Sequence, residues 1–227
     1  DNLSGPDHRA AGSRPEPVNQ LCRRVDIPEH EIRITPRLEH AVPAGLSERK
    51  KGLEDRLRRE YQTLKALAHP RVVEVYDFGV DDDGAYYTME LLEGSDFKQL
   101  APLEWKKACA LLRDLASALA LLHSRRLLHR DISPRNVRLT ADKHIKLTDF
   151  GAMAPMGRVK DRVGTPPFIP PEVIYRQALD QRSDLYSFGA LSYWLLTGRH
   201  AYSVRRPSEL AKAWHNRPAT PSEVVAE

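Results

Sequence analysis

Two segments carry most of the information in this chain: His129-Arg130-Asp131-Ile132-Ser133-Pro134-Arg135-Asn136 and, thirteen residues after that asparagine, Asp149-Phe150-Gly151. The sequence between them predicts two short strands, Val137–Leu139 and His144–Leu147, joined by a polar turn at Ala141-Asp142-Lys143. A strand pair of this length brings the chain back to the point at which it started. We therefore expect the aspartate of the second segment to lie in the same cleft as the polar residues of the first.

The spacing of these segments resembles the catalytic core of the protein kinase family, in particular its bacterial members with a eukaryotic-type serine/threonine kinase domain. The resemblance implies transfer of the γ-phosphate of ATP to protein hydroxyls with the help of Mg²⁺. Asp131 is then the base that accepts the hydroxyl proton, and Asn136 and Asp149 are the oxygen ligands of the metal ion. Pro134 is typical of serine/threonine kinases, although Ser133 stands where they usually have a lysine.

The segment that follows extends this resemblance. Residues 164–172 (GTPPFIPPE) are similar to the family's GT…APE segment, which implies that Thr165 lies beside Asp131 and shapes the site of the substrate hydroxyl. Asp184 resembles the aspartate that braces the catalytic loop from the start of the large buried helix. The helices that supply an arginine to the position of Glu172 are missing from the sequence, so we expect Glu172 to be unpaired.

Arg130 belongs to a position that in this family often binds a phosphorylated residue of the neighbouring segment. Residues 152–163 (AMAPMGRVKDRV) contain no serine, threonine or tyrosine. We therefore hypothesise that this protein is not switched by phosphorylation there, and that Asp161 serves as a permanent anion for Arg130.

The sequence before residue 94 resembles the nucleotide-binding half of the family. Glu60 corresponds to the ion-pairing glutamate of a helix, Met89 to the gatekeeper, and Glu90 to Leu92 to the hinge whose backbone binds adenine. Because no lysine partner for Glu60 is evident, the alternative that it is an ordinary exposed helix acid stays open. Arg33 is the closest equivalent of the missing strand lysine, either as a phosphate ligand or as a strand-edge cation.

The sequence departs from the family pattern at three features: the glycine-rich loop, the strand lysine and the apolar floor under adenine. None of the twelve glycines forms a G-x-G pair, Arg33 replaces the lysine, and Arg138 stands where an apolar floor is usual. A buried arginine must be paired or reach outward. These departures leave a pseudokinase or regulatory module as the alternative function. A small-molecule phosphotransferase of related fold is disfavoured by the HRD loop and the GTPPFIPPE segment.

Sheet-like sequence precedes helical sequence, which predicts an α+β, two-lobed protein-kinase-like fold. The predicted elements are a strand at 31–35, a helix at 46–67, strands at 71–76 and 85–92 around a turn at 81–84, and helices at 105–122 and 187–196. We expect a disordered arm at 1–20, an incomplete sheet-rich N-lobe at 21–93, and a helical C-lobe at 94–227 that lacks its last helices. The kinase domain would then be truncated at both ends.

The composition of the 227 residues excludes several classes of protein. No apolar run approaches the roughly 20 residues of a membrane-spanning helix. The 35 Lys and Arg against 31 Asp and Glu give a net charge of +4, and the densest basic stretch, at 48–60, is interleaved with acids. We therefore expect no nucleic-acid partner. Two separated cysteines fit a reducing cytoplasm, and the expected partners are ATP and proteins with serine or threonine hydroxyls.

Overall fold

The computed structural model describes residues 31–34, 46–81, 84–95, 97–159, 161–204 and 206–225. The predicted arm at 1–20, Thr35 and the turn residues Asp82 and Asp83 lie outside these ranges. Within them the strands are β1 (Glu31–Ile34), β2 (Val75–Asp81), β3 (Gly84–Glu90), β4 (Leu127–Leu128), β5 (Val137–Leu139), β6 (Ile145–Leu147) and β7 (Ala154–Pro155). The helices are α1 (Leu46–Ala66), α2 (Trp105–Ser124), α3 (Pro171–Ile174), α4 (Gln181–Thr197), α5 (Pro207–Ala213) and α6 (Pro221–Val224).

The N-terminal part is an antiparallel sheet in the order β1-β3-β2, and α1 packs against it. The predicted hairpin of β2 and β3 is present, with Asp81 opposite Gly84. The predicted strand at 71–76 is wrong in its bounds, because β2 runs from Val75 to Asp81. Val72 instead forms an isolated bridge with Leu147 of β6 and lies buried, so the apolar run before Val75 serves the core.

The C-terminal part is built on α2 and α4, which pack against each other through the fully buried Leu115, Leu122, Leu191 and Leu195, and α2 also packs against β6. The helix predicted at 187–196 is longer than expected and begins at Gln181. Asp180 caps it, since its carboxylate accepts the backbone N–H of Arg182. The helix ends as predicted at Gly198, whose φ of +69° lets its N–H reach the carbonyl of Trp194. A small sheet with one packed helix and a larger helical part thus give the predicted two-part α+β arrangement.

The linker after β3 passes so close to β5 that it requires a glycine. A Cβ added at Gly94 would lie 1.8 Å from the carbonyl oxygen of Leu139. Arg138 donates from its guanidinium to the Gly94 carbonyl at 2.8 Å, so the arginine at the expected adenine floor is half-buried and paired. A half-buried ion pair of 2.6 Å between Lys146 of β6 and Glu90 of β3 also joins the two parts.

The loop between α1 and β2 is anchored to α2. His69 accepts the N–H of Arg71 on Nδ1, so its Nε2 donates to the hydroxyl of Ser117 at 3.2 Å. The Arg71 guanidinium lies 3.2 Å from the buried carboxylate of Asp114, which also contacts His144 at 2.8 Å. These contacts fix the end of α1 relative to the helical part. None of the helices in the described ranges is long and apolar enough to cross a membrane.

Gly94→Ala tests the close approach of the linker to β5. Because backbone atoms block the added methyl group, we expect the free energy of unfolding to fall by about 1–3 kcal/mol or more. Gly189→Ala is the matched control: this helical glycine has no atom within 4 Å of an added Cβ, and alanine should stabilise α4 by about 0.5–1 kcal/mol. Urea unfolding measures both changes, and equal effects of the two substitutions would contradict the packing.

Candidate active site

A buried carboxylate holds the loop at 129–136 in place. Asp184, near the start of α4, is fully buried and accepts the backbone N–H groups of His129 at 3.0 Å and Arg130 at 2.9 Å. His123 of α2 contacts the same carboxylate at 2.9 Å. The sequence predicted the bracing role of Asp184, and the structure confirms it. His123 was missed, because nothing in the spacing of α2 links it to a residue 61 positions later.

His129 joins the loop to the segment that follows β6. It is fully buried, its Nδ1 accepts the N–H of Asp131, and its Nε2 therefore donates to the carbonyl of Thr148 at 3.1 Å. The ring meets the ring of Phe150 edge to face, with centroids 4.8 Å apart. Burial lowers the pKa of His129, so this imidazole is neutral and acts as a structural link.

Asp131 has both carboxylate oxygens fixed by neighbours. Its Oδ1 accepts the backbone N–H of Thr165 at 2.9 Å, and its Oδ2 accepts the amide of Asn136 at 2.9 Å. The same Asn136 Nδ2 also donates to the Asp131 carbonyl at 2.8 Å. The structure thus brings together three of the predicted site residues. Because Nδ2 is committed to Asp131, Oδ1 is the atom that Asn136 offers to a cation.

Asp149 follows β6 and is exposed, in the left-handed backbone region with a φ of +59°. Arg130 also has a positive φ, of +70°. Non-glycine residues in this region are uncommon and gather at functional sites. The Asp149 carboxylate and the Asn136 amide are hard oxygen donors of the kind that Mg²⁺ prefers. The donor set of this structure therefore fits the metal ion that the sequence predicted.

Glu60 of α1 reaches the same cleft. A Cβ added at Gly151 would lie 3.9 Å from the Oε2 of Glu60 and 3.5 Å from the Oδ1 of Asp149. The Oε1 of Glu60 accepts the hydroxyl of Tyr87 at 2.9 Å. Burial raises the pKa of the Glu60 carboxyl, the Tyr87 hydrogen bond lowers it, and the charge of Asp149 raises it. The alternative of an ordinary exposed acid does not hold. The role of Tyr87 was not predicted, because a tyrosine in an apolar strand indicates only core packing.

The strand register determines which residue of β1 stands nearest to this contact. Ile34 is the partner of Tyr87, and Arg33 is the partner of Thr88. Directly opposite residues of an antiparallel pair share one face of the sheet, and successive residues alternate between faces. The position on the Tyr87 face therefore belongs to Ile34. The role of Arg33 as a phosphate ligand stays a prediction.

The predicted gatekeeper and hinge follow from β3. Met89 is half-buried and packs against the core. The N–H of Glu90 donates to the carbonyl of Glu74, which lies in the loop before β2. The carboxylate of Glu90 accepts the N–H of Glu74 and also pairs with Lys146. Leu92 is half-buried beyond the strand, and no group in the described ranges accepts its N–H. Adenine binding by these residues stays a prediction, to which the Leu92 N–H contributes an available donor.

Two of the three guanidinium nitrogens of Arg130 bind carbonyl oxygens, whereas its Nε is buried and has no partner in the described ranges. Its guanidinium donates to the carbonyl of Ala152 at 3.2 Å and to the carbonyl of Asp161 at 2.7 Å. Burial lowers the pKa of Arg130, and the charges of Asp161 and Asp184 oppose this effect. We hypothesised that the Asp161 side chain is a permanent anion for Arg130. The close contact with Arg130 is instead made by the backbone carbonyl of Asp161. Arg130 thus binds Ala152 and Asp161 without a phosphate group.

Glu172 differs from the sequence expectation. We expected it to be unpaired, but its Oε1 accepts the hydroxyl of Ser183 at 2.6 Å. Ser183 lies in the first turn of α4, one residue before Asp184. The longer helix α4 thus supplies a partner that a helix starting at Ser187 could not.

Comparison with known proteins agrees with this geometry. The protein kinase domain family matches residues 44–222. The chain is 36% identical over 162 residues to serine/threonine-protein kinase pkn2 of Myxococcus xanthus, an alignment that covers 65% of this chain and 20% of that protein. It is 32% identical over 176 residues to PrkC of Bacillus subtilis (74% and 27%) and 32% identical over 166 residues to Aurora kinase C of Mus musculus (70% and 60%). The chain thus spans about a fifth to a quarter of the two bacterial relatives.

Asp184→Ala tests the brace of the loop. The substitution leaves two buried backbone donors without an acceptor, and each such donor costs about 1–3 kcal/mol. We therefore expect the free energy of unfolding to fall by about 3 kcal/mol or more in urea. The control is Asp180→Ala at the start of the same helix, which removes an N-cap and an exposed ion pair with Arg182 and should cost about 1–2 kcal/mol. A brace role is contradicted if Asp180→Ala is as destabilising as Asp184→Ala.

Proposed function

The chain belongs to the protein kinase family, and from that membership we propose that it is a serine/threonine protein kinase that acts in the cytoplasm. Its reaction is transfer of the γ-phosphate of ATP to serine or threonine hydroxyls of protein substrates. The observation that carries the proposal is the fixed carboxylate of Asp131, held from one side by the Thr165 N–H and from the other by Asn136. The similarity to serine/threonine kinases of two bacteria and of mouse supports the substrate class.

Proton transfer is assigned to Asp131. As the substrate hydroxyl oxygen bonds to the γ-phosphorus, its proton passes to this carboxylate and the bond from phosphorus to the bridging oxygen of ADP breaks. The hydrogen bonds from Thr165 and Asn136 aim the carboxylate before the substrate arrives, so little reorganisation is needed during the reaction.

We assign neutralisation of the phosphate charge to a metal ion. Asn136, through Oδ1, and Asp149, through its exposed carboxylate, would hold Mg²⁺, which when bound neutralises phosphate charge. No group of three or more His, Cys, Asp or Glu side chains in the described ranges could hold a metal ion. Phosphate oxygens and water must then complete the coordination, as is usual for Mg²⁺.

One observation favours the second candidate, a pseudokinase. The register places Ile34 opposite Tyr87, and in the described ranges the hydrogen-bond donor to Glu60 is a neutral hydroxyl. The phosphates would then lack a cation from β1 beside Glu60. Removing one preorganised electrostatic donor commonly costs about 10²–10³ in rate, so a regulatory module that keeps the fold is the competing function.

Asp149→Ala separates the two candidates. In a transfer assay with Mg-ATP and a generic protein substrate, we expect the wild-type rate to exceed that of the variant by about 10²-fold or more, because a metal ligand is lost. Asp142→Ala is the control: this aspartate is exposed in the turn between β5 and β6, and its removal should leave the rate unchanged. Equal rates for all three proteins favour the pseudokinase.

Nucleotide binding is measured as the stabilisation of the same three proteins by Mg-ATP in thermal unfolding. Mg-ATP at about 100 times its Kd should stabilise the wild-type chain by about 2.7 kcal/mol. Asp149→Ala should lose most of this stabilisation, whereas Asp142→Ala should keep it. Absence of any shift in saturating Mg-ATP would contradict a nucleotide-binding role.

Activity is also expected without phosphorylation of residues 152–163. Arg130 is already bound by two carbonyls, and Asp161 contributes one of them through its backbone. Asp161→Ala keeps that carbonyl, so we expect the rate to change less than about fivefold, the size of a surface-charge effect. Phosphopeptide mapping of the active protein accompanies the assay. A requirement for phosphate on Thr165 would contradict phosphorylation-independent activity.

A further inference from the structure

The hydroxyl of Tyr87 is the donor in the described ranges that holds Glu60 at the cleft. Tyr87 lies in the middle of β3, is 3% exposed, and donates to the Oε1 of Glu60 at 2.9 Å. Packing alone would be served equally well by phenylalanine. A buried hydroxyl without a partner costs free energy, so the tyrosine is explained by its bond to Glu60.

The ring of Tyr87 packs against an aromatic ring of α1. Tyr61 of α1 lies with its ring centroid 6.2 Å from that of Tyr87 and 5.7 Å from that of Phe78 on β2. The hydroxyl of Tyr61 donates to the backbone carbonyl of Tyr76, again on β2. Aromatic rings from α1, β2 and β3 thus pack together at this interface, and the Tyr87 hydroxyl bonds Glu60 there.

The residue of β1 in register with Tyr87 is Ile34, which carries no donor. An isoleucine at this position supplies no cation to Glu60. We propose that Tyr87 is the positioning residue that holds Glu60, and with it α1, against Asp149, in place of a strand lysine. Its effect on rate rests on the kinase function proposed above.

A tyrosine differs from a lysine in charge. Burial, followed by the charge of Glu60, raises the pKa of Tyr87 above its usual range, so the hydroxyl is a neutral donor at any physiological pH. It can orient Glu60, but it adds no positive charge to the phosphate site. Loss of the hydroxyl should therefore lower kcat, which depends on the placement of α1, more than it weakens Mg-ATP binding.

Tyr87→Phe tests the proposal, and Tyr61→Phe is its matched control. Each substitution removes one tyrosine hydroxyl from the interface of α1 with the sheet and keeps the ring. In Tyr61→Phe the Tyr76 carbonyl keeps a donor, because Lys65 also binds it at 2.9 Å. We expect Tyr87→Phe to lower kcat about tenfold or more, since its hydroxyl bonds a charged group. The Kd for Mg-ATP should change less than about threefold, and Tyr61→Phe should alter neither value by more than about twofold.

A second set of variants separates positioning from packing. Tyr87→Phe and Glu60→Gln are combined, and kcat and the free energy of unfolding are measured for each single variant and the pair. Because both substitutions act on the same bond, we expect the pair to fall well short of the product of the single effects on kcat. Additive effects of the pair, or equal kcat for Tyr87→Phe and Tyr61→Phe, would overturn the proposal.

The stability measurements keep the test independent of the kinase function. If the wild-type chain transfers no phosphate, the proposed function fails, and the bond is then read from unfolding alone. Coupling between Tyr87→Phe and Glu60→Gln, with additivity between Tyr61→Phe and Glu60→Gln, supports the positioning of Glu60 by Tyr87. Additivity in both pairs would overturn it.

Discussion

The site depends on the burial of one carboxylate, that of Asp184. A charge this deep is tolerated only because donors surround it, and here two of the donors are consecutive backbone N–H groups of the loop, those of His129 and Arg130. The cost of desolvating Asp184 therefore fixes the start of the loop. Asp131 follows directly, and its position is completed by the Thr165 N–H. Among the described residues, the groups that hold the Asp131 carboxylate thus all belong to the helical part of the molecule.

The sequence predicted this half of the site well because its signals are local. The turn at 141–143 fixes the β5–β6 hairpin, and the hairpin returns Asp149 to Asn136. Predictions failed where tertiary packing decides. The apolar run before Val75 was assigned to a strand, although Val72 is used against β6. Glu172 gained a partner from a helix turn that the pattern did not reveal. The partner of Glu60, Tyr87, could not be predicted, because the sequence does not show whether a buried tyrosine is needed for its hydroxyl or for its ring.

The cleft is built differently on its two sides. On the helical side, Asp131 is held by Thr165 and Asn136, and two guanidinium nitrogens of Arg130 bind carbonyl oxygens. On the sheet side, Glu60 and Asp149 both lie close to Gly151, and the charge of Asp149 contributes to the raised pKa of Glu60. In the proposed kinase, a divalent metal ion at Asp149 would offset this repulsion. The sheet side would then depend on the metal ion more than it would if a lysine occupied the position of Ile34.

This dependence explains why a neutral donor suits the contact with Glu60. A hydroxyl can hold α1 in place without competing with the metal for the carboxylate charge, whereas the ammonium of a lysine would both orient and neutralise. The end of α1 is fixed separately, through His69 and Arg71 on α2. With one anchor on the helical part and another on β3, α1 keeps its orientation toward Asp149 through contacts within the described protein. In the proposed kinase, preorganisation of the cleft and neutralisation of the phosphates would thus be supplied by different groups, the first by Tyr87 and the second by the metal ion.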